Sequence, residues 1–135
     1  MKNKISKLLI STLLGGLGMW IIAGLWHNSI LPYFNENVQA HEKGIFLILI
    51  GYFILAFLMT YLYSNIGFTG KNIIVGLRIG VVVGILWVFP HGLVMAGAHD
   101  TSVIYEIKNT IWHMVEQGVG GIIIALIYGR SKPTK

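Results

Sequence analysis

Four long apolar stretches, separated by short polar segments, constrain this chain more than any other feature. They cover residues 8–26, 44–63, 79–98 and 110–129. Each is 19 or 20 residues long, enough at ~1.5 Å per residue to cross a hydrocarbon core ~30 Å thick. A backbone in lipid must satisfy its own hydrogen bonds, and for runs of this length the solution is a helix. The expected fold is therefore all-α: an integral membrane four-helix bundle forming a single domain over residues 1–135. Only 11% of residues are charged, against ~25% in soluble domains, too few to cover a water-facing surface. The chain has no cysteine, which excludes disulfides, thiolate metal sites and cysteine nucleophiles.

The runs differ in character. The first follows Lys2, Lys4 and Lys7. It is longer than the ~7–15 residues of a signal-peptide core and ends in bulky Trp26 with no small-residue cleavage site, so it is expected to persist as a helix. Gly15, Gly16 and Gly18 permit close approach of a neighbour. The second run carries no charge, and Tyr61 and Tyr63 mark its far interface. It reads as an ordinary lipid-facing helix. In the third, Gly76, Gly80 and Gly84 recur every four residues on one face, the spacing of tight helix contact in membranes. Pro90 removes a backbone donor inside this run, which predicts a kink just before His91. The fourth run becomes strictly apolar only from Gly118, leaving His113, Glu116 and Gln117 within the span or at its edge. Gly118, Gly120 and Gly121 again predict close packing. Polar loops are expected over residues 27–43, 64–78 and 99–109, with a start of the third helix near Ile73 as the alternative.

Charge gives the orientation. With four spans both termini lie on one side, which collects Lys2, Lys4, Lys7, Lys71, Arg78, Arg130, Lys132 and Lys135. The other side has only Lys43 and Lys108. The positive-inside rule places both termini in the cytoplasm of a multi-pass cell-membrane protein. All acidic residues and all histidines then fall in the outer half. The net charge of +5 is accounted for by topology and forms no nucleic-acid recognition motif.

Trp112-His113-Met114-Val115-Glu116-Gln117-Gly118 concentrates the polar residues where lipid offers no water. An ionised side chain costs ~2.5–3.5 kcal/mol at mid-membrane on insertion scales, and less near the interface. Counting helix rise from Arg78 and from Arg130 puts His91 and Glu116 at a similar depth, roughly 20 Å up their helices. His113 lies one turn above Glu116 on the same face. His27 and Glu42 sit near the outer boundary. Histidine and carboxylate without thiolate suit iron, zinc or copper. His91, His113, Glu116, His27 and Glu42 are thus the candidate metal ligands, with His41 in reserve. A bundle can also hold non-covalent haem between two histidines. His27, His91 and His113 are the candidates, with Gly24, Gly92 and Gly120 leaving room for the ring. Ordinary interfacial hydrogen bonding accounts for His41, His99 and Asp100. Trp20, Trp26, Trp87 and Trp112 either line a pocket or anchor at the interface.

A weak internal repeat pairs the hairpins: His27 and Glu42-Lys43-Gly44 in the first, His91 and Glu116-Gln117-Gly118 in the second. No nucleophile elbow, phosphate loop or zinc-protease motif occurs, so a standard hydrolase or transferase is not expected. Two further classes stay open beside metal or haem binding. One is a small proton-coupled transporter or channel component, which would need a homo-oligomer because four helices enclose little volume. The other is a structural or accessory subunit with a membrane partner.

Gly24-Leu25-Trp26-His27-Asn28, Pro90-His91-Gly92 and Trp112-His113-x-x-Glu116-Gln117-Gly118 resemble segments of a family of small four-helix bacterial integral membrane proteins. The resemblance implies the same topology and singles out the same polar residues. It implies no activity.

Overall fold

The computed structural model describes residues 2–30, 42–66, 72–99 and 102–129, without the side chains of residues 2, 3, 42 and 43. The described chain is almost wholly helical. Four helices, α1 (Lys2–Leu25), α2 (Glu42–Asn65), α3 (Ile73–His99) and α4 (Val103–Tyr128), are each long and apolar enough to cross a membrane. A five-residue π-helical turn, Trp26–Ile30, follows α1.

Two helix starts are set for local reasons. Of the two starts the sequence allowed for the third helix, the structure has the earlier, Ile73, where the Asn72 carboxamide oxygen accepts from the Val75 amide at 3.2 Å. The expected loop 99–109 gives way to helix at Val103. Ser102 caps that end by accepting from the Tyr105 amide, with Glu106 in the first turn. Polar side chains at these positions satisfy orphan amides and so start helices. α3 runs through Pro90 to His99.

α4 is the hub. It packs most extensively on α3, then on α1, and to a lesser extent on α2. Its glycines lie on two faces. Gly121 faces the backbone of Gly76, and Gly120 faces Met19 of α1. A methyl group on Gly80 would meet the backbone of Gln117 and Gly118, and one on Gly84 the backbone of His113 and Met114. α1 approaches the other side, where Gly15 lies against Ile124. α1 and α3 are thereby held apart, with no close backbone approach between them among the described residues. Met19, Leu55, Ala56, Met59, Tyr63, Ile124 and Ala125 form the buried core between α1, α2 and α4. The two hairpins predicted to be alike are thus packed differently. α2 keeps many large apolar side chains exposed, including Phe46, Leu47, Ile54 and Leu58, the expected surface of a helix in lipid.

Candidate functional site

Glu116 lies midway along α4 and is wholly buried, as is Gln117. Its carboxylate is held by side chains from two helices. On α4, the Trp112 indole Nε1–H donates to Oε2 at 3.1 Å, and the Gln117 Nε2–H donates to Oε1 at 2.8 Å. From α2, the Tyr52 hydroxyl reaches the same carboxylate. His113 presents Nδ1 to Oε1 at 3.7 Å, beyond hydrogen-bond length. That nitrogen and Gln117 Oε1 are buried without a hydrogen-bond partner among the described residues. Spacing on α4 assembles most of this: Trp112 and His113 stand four and three residues before Glu116, on the same helix face.

The end of α1 completes the site. Trp26 stacks on Trp112 with centroids 4.2 Å apart and planes 9° from parallel. His27, the next residue, is exposed, yet close enough to Glu116 and His113 to feel their charge. Carboxylate, imidazole and indole groups from α4 and the turn after α1, with the Tyr52 phenol from α2, therefore converge in one cluster.

The structure does not bring His91 to it. His91 is exposed on α3 beside Gly92, which packs on Glu106. Glu106 is ten residues from Glu116 on α4, roughly 15 Å of helix. The depth count from the two arginines misplaced His91 because α3 begins well before Arg78. Gly76 faces Gly121 and Gly80 faces Gln117, so Arg78 is level with Val119, not with Arg130. His27 and His91 stand on segments, the turn after α1 and α3, that make no close backbone approach among the described residues. Of the three glycines expected to make room for haem, two are occupied: the Glu106 side chain covers Gly92, and Met19 covers Gly120, while Gly24 has nothing within 4 Å of an added Cβ. Among the described residues no three histidine or acidic side chains gather as metal ligands. Glu42 opens α2, but its side chain lies outside the described residues, as does His41.

Tyr52 was missed because it stands inside an uncharged run read as lipid-facing. A tyrosine far from either end of such a run was the available signal, since its hydroxyl needs a partner there. Tyr52 also borders an apolar groove of about 380 Å³ between α2 and α3, together with Leu47, Ile48, Gly51, Leu55 and Trp87.

Comparison of the chain with protein families, curated proteins and solved structures gives no match.

Proposed function

We propose that the chain is a small proton-coupled transporter or channel component whose Glu116–His113 pair takes up and releases a proton within the membrane. The observation behind this reading is the wholly buried Glu116 carboxylate with an imidazole nitrogen 3.7 Å away that has no hydrogen-bond partner among the described residues. A carboxylate buried in an apolar bundle is expensive, and intramembrane ionisable groups mark proton relays and ion pathways. With one added proton the pair is neutral overall; without it the pair is negative. His27, exposed at the end of α1, connects the pair to water. Both termini lie in the cytoplasm by the distribution of lysine and arginine, so this end of the bundle faces outward. Four helices enclose little volume, and the working unit is a homo-oligomer.

The test is proton flux into liposomes holding the purified protein, compared with Glu116→Gln. Flux that depends on Glu116 supports the reading, and equal flux from the variant contradicts it. The donors around Glu116 favour a second reading, a structural knot tying α4 to α2 in an accessory subunit. In that case Glu116→Gln lowers stability and leaves proton binding unchanged.

A further inference from the structure

We propose that the stacked Trp26 and Trp112 indoles are a lid that closes Glu116 to water, opened by movement of the π-helical turn Trp26–Ile30. This inference rests on the proton-holding reading above and adds how access to the site is controlled.

Trp112 is fixed at one edge, because its Nε1–H is bonded to Glu116 Oε2. One face of the same ring is covered by Trp26. The pair stands one helical turn from the carboxylate, towards the end of the bundle where α1 finishes. Behind it Glu116 has no exposed surface, and the His113 side chain keeps only 16%. Trp26 is the first residue of the π-helical turn, and such turns recur where a helix carries function. Residues 27–30 are all exposed. Gly24, just before the turn, has open space around its Cα. The Asn28 side chain bonds back to the Gly24 carbonyl at 2.8 Å and keeps the turn attached to α1. The lid is thus carried at the start of a turn whose other residues, 27–30, are exposed, above a titratable pair of which Glu116 is wholly buried.

Among the described residues, the titratable groups facing Glu116 are few. α1 and its turn bring His27, α2 brings Tyr52, and α4 brings His113. α3 has no titratable residue between Arg78 and His91.

The experiment is carbodiimide modification of Glu116, read by peptide mass spectrometry on the full chain in lipid nanodiscs. Carbodiimides react with protonated carboxyl groups. A lipid-soluble reagent, dicyclohexylcarbodiimide, approaches through the bilayer, and a water-soluble one approaches past the lid. Wild type is compared with Trp26→Ala and Trp26→Leu; leucine keeps apolar bulk but cannot stack. Helix content by circular dichroism selects the variants that fold. The water-soluble reagent should modify Glu116 faster in the variants by ~10-fold or more, as a minor open state of ~0.1–10% becomes dominant. The rate with the lipid-soluble reagent should stay the same. Equal water-soluble rates in wild type and variants overturn the lid and leave the proton reading standing. No modification by the lipid-soluble reagent in any of the proteins overturns the proton reading and the lid with it.

Discussion

Trp112 donates its indole N–H to Glu116 four residues further along α4, at 3.1 Å. The bond couples a half-buried aromatic ring to a carboxylate with no exposed surface. It joins the sealing of the site to its chemistry.

Trp112→Phe keeps a ring for Trp26 to stack on and removes this donor. Losing one hydrogen bond to a buried acceptor costs ~0.5–3 kcal/mol, with the upper part of that range for an ionised acceptor. Reversible denaturant unfolding in mixed micelles should show a loss of this size. An unchanged midpoint would mean that the bond adds nothing to the fold.

Glu116→Ala and Glu116→Gln should separate shape from charge. Alanine strands the Trp112 and Gln117 donors and leaves a cavity, so it should destabilise by ~2–5 kcal/mol. Glutamine fills the volume and can accept one of the two donors, so its cost should be smaller. Thermal unfolding of both variants tests the order, and a glutamine variant as unstable as alanine contradicts it.

Gly80 lies against the backbone of Gln117 and Gly118, which has nowhere to go. Gly80→Val should therefore separate α3 from α4 and cost at least ~1–3 kcal/mol through overpacking. Gly97 has no atom within 4 Å of an added Cβ, so Gly97→Ala should be neutral or should stabilise by up to ~1 kcal/mol. A pair of melting curves decides it. Equal tolerance at both positions would contradict the observed α3–α4 packing.

Much of this architecture could be read from the chain alone. The four spans follow from apolar length, because lipid leaves the backbone no alternative to helix. His113, Glu116, Gln117 and Trp112 were legible as a site because their spacing puts most of them on one helix face. What failed depended on relations between helices. His91 was placed beside Glu116 by aligning Arg78 with Arg130, but the α3–α4 register is set by glycine contacts that span length does not encode. Tyr52 and the Trp26–Trp112 stack depend on which faces of α2 and α1 meet α4, and an evenly apolar run does not mark a face. The caps at Asn72 and Ser102 were available in the sequence, and reading them would have selected the earlier start of α3 and lengthened α4 correctly.

The proton-holding reading needs no metal between Glu116 and His113, so under it chelator treatment should move neither the melting temperature nor the tryptophan fluorescence of the stacked pair. Stoichiometric metal in protein purified without chelator would contradict this. It would direct attention to His41 and Glu42, whose side chains lie outside the described residues.

Oligomeric state bears on the transport reading. Native mass spectrometry from lipid nanodiscs or mild detergent should show a dimer or larger assembly, because one four-helix copy encloses too little space for a pathway. A protein that stays monomeric at all accessible concentrations would favour the structural knot.

The most direct test of the central claim is difference infrared spectroscopy of the protein in lipid during acidification, for wild type and Glu116→Gln. Reversible proton uptake at the buried pair predicts a protonated-carboxyl band, or an imidazolium signal coupled to the carboxylate, that grows as pH falls and is absent from the variant. Identical difference spectra from the two proteins, throughout the range in which both stay folded, would contradict proton binding at Glu116.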